Sequence, residues 1–204
     1  MTTPELAKQA NCSHAAQSLA NKEIPPGKFV DKLEDEGLLH DAILFVAQMM
    51  SPSDAIKWAC ATVHALQPEG KPIDGQPSLT AAEAWIKAPV DPARWAAKDS
   101  ADTSAMTHAT DCIAMAVFLS GGSITPPESP EVSPPPHAAQ NLCSGAVLIT
   151  AVANEPEKAT ERQRAALNLG RKQANLPPNP TPPPPPPPPP APEPGDSEEV
   201  AELT

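Results

Sequence analysis

The distribution of proline constrains the fold of this 204-residue chain more than any other feature. Nine prolines follow one another at Pro182–Pro190, and neither a helix interior nor a central strand tolerates such a run. We expect it to adopt polyproline II, a rod of about 3.1 Å per residue, followed by the acidic end "GDSEEVAELT". The sequence therefore predicts one folded domain over residues 1–175 and a disordered, proline-rich acidic tail over 176–204. The tail is either a spacer or a ligand for an aromatic-lined groove.

Residues 1–175 have the pattern of helices. Strict alternation of polar and apolar residues is absent, and apolar side chains recur at helical spacing, as at Ile56, Ala59, Cys60, Val63 and Leu66. The fold class predicted is all-α, with about seven or eight packed helices. Two of the predicted helices run from Pro4 to about Ala20 and from about Thr103 to Leu119.

A second proline-rich stretch, "SGGSITPPESPEVSPPP", spans residues 120–136 between two apolar helical segments. Gly121 or Gly122 can end the preceding helix in the left-handed conformation. The prolines predict an extended loop. The side chains of Ile124 and Val132 are expected to hold it on the core, and both residues are also candidates for binding a partner. Loops of this length are often functional, so it is either a rigid connector or a recognition segment.

Composition excludes several classes of partner. The net charge is −11, and aromatic residues make up only 3 % of the chain, which argues against a nucleic-acid surface. No run of 18 apolar residues predicts membrane insertion, and no secretory signal precedes the first helix. The four cysteines are far apart in sequence. Together these features predict reduced thiols and a cytoplasmic protein.

Two pairs of side chains are candidates for chemistry. Cys60 and His64 lie four residues apart, as do His108 and Cys112, and together they make a set suited to tetrahedral zinc. The alternative, which we favour, is that both cysteines are buried as small apolar residues. A thiol nucleophile lacks supporting local sequence. We predict no cofactor and no enzymatic activity.

Trp85 and Trp95 flank a turn that contains Pro89 and Pro92. They either clamp this turn or provide an anchor for a partner protein. The turn "AWIKAPVDPARWAA" is similar to the helix–turn–helix of HEAT-like repeats.

Residues 81–174 resemble a bacterial all-helical domain of unknown function. The resemblance rests on "AEAWIKAPVDPARWAAKDSA", on the passage from "SGGS" through "PPP", and on the helix that follows. It implies that the proline-rich loop is a regular feature of the domain, and it carries no catalytic residues to this chain.

The sequence as a whole predicts a non-enzymatic interaction or adaptor protein that has a protein partner, with a secretion-system accessory role as one suggestion. The alternatives are an immunity protein that neutralises a basic toxin and a zinc- or thiol-dependent enzyme.

Overall fold

The computed structural model describes residues 1–179, which form ten α-helices and no strand. The all-α prediction is confirmed, although seven or eight helices were expected. The predictions for the polyproline run and the acidic end lie outside the described residues. The helices are α1 Thr3–Gln9, α2 His14–Leu19, α3 Pro26–Asp35, α4 Leu39–Gln48, α5 Pro52–Leu66, α6 Gln76–Lys87, α7 Asp91–Thr103, α8 Ala109–Phe118, α9 Ala138–Val152 and α10 Ala159–Gln173, with a 3-10 turn at Pro156–Lys158.

Capping residues set the boundaries of several helices. The Ser51 hydroxyl accepts a hydrogen bond from the Asp54 amide at 3.1 Å, and Pro52 follows as the first helical residue of α5. The predicted single helix from Pro4 to Ala20 is wrong. It divides into α1 and α2 because Asn11 adopts a left-handed conformation (φ 52°) and Ser13 caps a new helix.

The predicted start of a helix near Thr103 is also wrong. Helix α7 continues through that residue, and the chain then turns at Ala105 and Met106, whose φ angles are 55° and 57°. Helix α8 begins after His108, whose backbone amide donates a 2.8 Å hydrogen bond to the Asp111 carboxylate. This reciprocal cap needs Asp111 three residues inside the helix, which explains why the boundary falls here.

Helix α9 lies at the centre of the domain, against α4, α5 and α8, while α10 packs across α4 and α5. Helices α6 and α7 lie on α8. A HEAT-type solenoid places each repeat against its sequence neighbours only. The similarity of one turn to HEAT repeats therefore does not extend to the packing of this domain.

Close packing in the core involves Trp58, which is 1 % exposed and donates from its indole nitrogen to the Ala166 carbonyl at 2.9 Å. Gly170 permits this approach, since a Cβ there would stand 3.0 Å from the Trp58 ring. At the edge, Arg171 donates to Asp31 and Glu34 of α3 at 2.8 and 2.9 Å. These contacts fasten the last helix to the rest of the domain. No helix within residues 1–179 has the length and apolar character to cross a membrane.

Candidate functional site

The loop of residues 123–136, here named the proline loop, is closed by its own hydrogen bonds. The Ile124 amide donates to the Val132 carbonyl at 2.9 Å. The Ser123 hydroxyl oxygen accepts from the amides of Thr125 at 3.1 Å and Val132 at 3.2 Å. The Thr125 hydroxyl donates to the Pro130 carbonyl at 2.7 Å. The two arms of the loop are thus held together, and the loop forms a compact projection from the domain.

Ile124 and Val132 hold the loop in a different way from the one predicted. Their side chains were expected to rest on the core, but Val132 is 45 % exposed. Ile124 is half-buried, and the two residues are joined through their backbones. The expectation is therefore wrong for Val132, because the backbone pairing turns its side chain toward solvent.

Arg94 connects the proline loop to the domain. Its side chain is 5 % exposed, and its Nη1 donates to the Phe118 carbonyl at 2.7 Å. Nη2 donates to the Ser123 carbonyl at 2.7 Å, and Nε donates to the Asp91 carboxylate at 2.8 Å. One guanidinium therefore satisfies a carbonyl at the end of α8, a carbonyl at the start of the loop and a carboxylate in the first turn of α7.

Gly122 is required beside this guanidinium. Its φ is +68°, and a Cβ on it would stand 3.1 Å from Arg94 Nη2. Both the left-handed backbone and the close approach favour glycine. The prediction that a glycine of the "SGGS" sequence adopts the left-handed conformation is confirmed, and the residue is Gly122.

A cleft of about 370 Å³ lies between the first turns of α7 and the proline loop. We name it the Trp95 cleft. The Trp95 ring forms one side and packs edge-on against Phe118, with ring centroids 4.9 Å apart. The other lining residues are Asp91, Arg94, Gly122, Ser123, Thr125, Pro126, Pro127, Ser129 and Glu131.

The two tryptophans that flank the turn before α7 differ in their environments. Trp85 is 9 % exposed and belongs to the core. Trp95 is half-buried and lines the cleft. Trp85 therefore packs in the core, and the role of partner anchor stays a prediction for Trp95.

The structure does not bring Cys60, His64, His108 and Cys112 into one site. His64 lies 2.5 Å from Glu83 in a groove between α5 and α6. His108 is the N-cap of α8 and lines a different cavity. Within residues 1–179, no group of three or more His, Cys, Asp or Glu side chains is arranged to hold a metal ion. The prediction that His108 and Cys112 lie on one face of a helix is wrong, because His108 precedes the first residue of α8.

The pKa values of the thiols are shifted in the opposite direction to that of a nucleophilic cysteine. Burial raises the pKa of Cys12 and of Cys60 to about 12, and it raises the pKa of the fully buried Cys143 as well. Burial raises the pKa of the half-buried Cys112 in the same direction. A catalytic thiolate requires a lowered pKa.

A second cavity, of about 200 Å³, lies where the ends of α5 and α9 meet the start of α8, and His108 lines it. Behind it, Ser78 Oγ donates to Asp111 Oδ1 at 2.6 Å, and His108 Nδ1 lies 3.2 Å from Asp111 Oδ2. The carboxylate stands between the hydroxyl and the imidazole, so His108 has no contact with the serine proton. This order differs from the serine–histidine–aspartate relay of hydrolases.

The buried carboxyl of Asp111 is held in its charged form. Burial raises its pKa, but the hydrogen bonds from Ser78 and His108 outweigh burial, so the pKa lies below its usual range. Asp111 therefore acts as an internal acceptor that joins α6 to the start of α8.

Residues 29–174 match the family of unknown function DUF6931. This match covers more than two thirds of the chain, so the protein belongs to that family. No curated protein and no solved structure matches the chain. Both the Trp95 cleft and the proline loop fall within the matched residues, so they are parts of the family's domain.

Arg94 was not among the residues singled out from the sequence as a candidate site, although it is central to the cleft. The Asp91–Arg94 spacing of three residues on one helix is a signal for an ion pair. Nothing in the sequence identifies its two carbonyl acceptors, because they lie 24 and 29 residues away.

Proposed function

We propose that this protein is a non-enzymatic binding or adaptor protein whose contact surface is the proline loop together with the Trp95 cleft. The observation that carries the proposal is the attachment of the loop by Arg94, which holds an otherwise exposed proline-rich segment in one conformation. A segment ordered before binding loses less conformational entropy when a partner binds. The prolines lower that cost further, since their φ angles are fixed.

The surface around the cleft has the composition of a protein-binding site. Val90 is 53 % exposed and Val132 is 45 % exposed, and they are the sequence neighbours of the lining residues Asp91 and Glu131; the half-buried Trp95 lines the cleft itself. Partly exposed aromatic and aliphatic side chains inside a polar rim are the usual anchors of protein interfaces. Thr125, Ser129 and Glu131 supply polar groups along the cleft.

A cytoplasmic location accompanies this proposal. All four cysteines are free, which fits a reducing compartment. The suggested link to secretion machinery depends on the identity of the partner.

An immunity protein is the second candidate function. Residues 180–204 hold five acidic residues and no basic one, which leaves a net charge of −6 on residues 1–179. An acidic surface accelerates association with a basic toxin. This candidate differs from an adaptor by requiring one tight partner.

Affinity capture from the native cell, quantified by mass spectrometry, tests the proposal. Four proteins are compared: the full chain, the chain ending at Asn175, the full chain with residues 123–136 replaced by a Gly/Ser linker, and a milder variant with Pro127→Ala and Val132→Ser. A matched control, Ile149→Ser with Val152→Ser, alters two other exposed apolar residues on α9.

We expect a partner that the full chain and the control capture and that both loop variants lose. A single partner of high pI retained through stringent washing identifies the immunity function, and several partners identify an adaptor. Capture that survives both loop variants would overturn the proposed surface. Urea unfolding of each variant shows whether a lost partner reflects a lost contact or an unfolded protein. If the protein with the Gly/Ser linker does not fold, the variant with Pro127→Ala and Val132→Ser still tests the surface.

A further inference from the structure

The Trp95 cleft has the chemistry of a site for a cationic side chain. We propose that it binds an arginine or lysine side chain carried by a basic segment of the partner protein. This inference rests on the proposed function, because it names the partner's chemistry at the same surface.

Arg94 is a basic residue that lines the cleft. Each nitrogen of its guanidinium already makes a contact, with Asp91, Phe118 or Ser123, and the side chain is 5 % exposed. Arg94 is therefore buried among its own acceptors and presents little of its guanidinium to an anionic ligand. Its positive charge is compensated by the carboxylate of Asp91.

Glu131 supplies the uncompensated negative charge of the cleft. The Asp91 side chain is 60 % exposed, but its Oδ1 accepts from Arg94, so these two charges compensate each other. Glu131 lines the cleft from the proline loop and is exposed. Among residues 1–179, no basic group forms an ion pair with Glu131 or with its loop neighbour Glu128. An uncompensated carboxylate attracts a cation.

The surroundings of the cleft hold few competing cations. No lysine or arginine occurs between Lys98 and Lys158, a span that includes α8, the proline loop and α9. Lys98 itself is paired with Asp102 on α7. The potential over the loop is therefore negative, and it steers positively charged segments toward the cleft.

Apolar side chains form the walls of the cleft. The Trp95 ring borders it, and Pro126 and Pro127 also line it. The Arg94 guanidinium carbon already lies 5.6 Å from the Trp95 ring centroid, so the ring serves here as apolar surface. The aliphatic stem of arginine or lysine packs on such surface, and Glu131 attracts the charged head.

Peptide titration followed by ¹H–¹⁵N spectra of the full chain tests this assignment. The probe is a short alanine peptide with three arginines, blocked at both ends. The comparison probes are the same peptide with citrulline, which has nearly the same shape without the charge, and agmatine as a free small cation. The indole N–H of Trp95 is identified among the three tryptophans by Trp95→Phe.

We expect the arginine peptide to shift the Trp95 indole and the Glu131 amide, with weaker binding at higher salt. Glu131→Gln is expected to raise the Kd of the arginine peptide about three- to fivefold, in the range of an exposed ion pair. Glu157→Gln, a change at an exposed glutamate outside the cleft, is expected to leave Kd unchanged.

Equal binding of the citrulline peptide, or a Kd unaffected by Glu131→Gln, would overturn the inference. Equal binding of agmatine would overturn the macromolecular partner in favour of a small cation. The outcomes are separable from those of the capture experiment. Loop-dependent capture without binding of the arginine peptide rejects this inference and leaves the proposed function standing, whereas capture that persists without the loop rejects the proposed function.

Discussion

Arg94 Nη2 donates a 2.7 Å hydrogen bond to the carbonyl oxygen of Ser123, which lies 29 residues further along the chain. The same guanidinium binds the Phe118 carbonyl, so it spans the end of α8 and the start of the proline loop. This contact converts a proline-rich connection into a fixed part of the domain surface. The shape of the Trp95 cleft depends on it.

Replacing Arg94 tests the strength of that attachment. Arg94→Met leaves the Phe118 and Ser123 carbonyls without their donor, while the Asp91 carboxylate, 60 % exposed, is hydrated instead; an unsatisfied buried polar group typically costs about 1–3 kcal/mol. We expect the free energy of unfolding in urea to fall by about that amount. Lys98→Met, one turn further along α7, removes a partly exposed ion pair with Asp102 and is expected to cost less than about 1 kcal/mol. Similar losses for the two variants would contradict the role assigned to Arg94.

The adjacent glycines provide a second, matched test. Gly122→Ala places a Cβ on a backbone with φ +68° and 3.1 Å from Arg94, so we expect a loss of about 1–3 kcal/mol from backbone strain. Gly121→Ala meets nothing within 4 Å and has no positive φ. That change is expected to be neutral or to stabilise the fold by about 0.4–1 kcal/mol. Thermal unfolding of both variants measures the difference, and a reversed order would show that the loop conformation is misassigned.

Part of this arrangement could be predicted from the sequence. The helical spacing around Ile56 and the Ser51–Pro52 cap are local signals, and they placed α5 correctly. The break at Asn11 was missed because a left-handed asparagine resembles any other polar residue in a helical pattern. Long-range contacts such as Arg94 with Ser123 have no local signal at all, so the proline loop was located in the sequence and its attachment was not.

Gly145 illustrates the same limit. It lies within the apolar helix α9, a position where a glycine often indicates close approach by a neighbouring helix. The structure shows nothing within 4 Å of a Cβ there, and it is Gly170 that packs against Trp58. A glycine in an apolar helix indicates close packing only when a neighbouring helix is known to approach that position.

Asp111 is expected to contribute to the stability of the fold in a pH-dependent way. Burial raises its pKa, but the hydrogen bonds from Ser78 and His108 lower it by more, so the folded pKa lies below the unfolded one. The stabilisation is then complete above the unfolded pKa of about 3.9 and is lost as pH falls through the folded pKa.

Asp111→Asn is the variant that isolates this contribution. We expect it to lower the free energy of unfolding near pH 7 by about 1.5–3 kcal/mol, the range for hydrogen bonds to a charged group. The difference in the free energy of unfolding between this variant and the unmodified protein is expected to narrow below about pH 4. Asp99→Asn, at an exposed position, serves as the control. A gap that widens as pH falls would contradict the direction of the pKa shift.

Thiol reactivity distinguishes the proposed binding function from the thiol enzyme that was considered. Burial raises the pKa of Cys12 and Cys60 to about 12 and that of Cys143 in the same direction. These thiols are expected to react with an aromatic disulfide reagent at pH 7.5 far more slowly than in urea. Cys112, which is half-buried, is expected to react first in the folded protein. A thiol that reacts faster than free cysteine would contradict this account and reopen the enzymatic alternative.

The most direct measurement is site-specific photocrosslinking in the native cell. Benzoylphenylalanine replaces Val132 or Val90 beside the Trp95 cleft, or Ile149 or Val152 on α9, all of which are exposed. We expect one discrete protein adduct from the first two positions, with a lower yield when Glu131→Gln is added, and no such adduct from the two α9 positions. Adducts that form only from α9, or none from Val132, would contradict the claim that the proline loop and the Trp95 cleft are the binding surface.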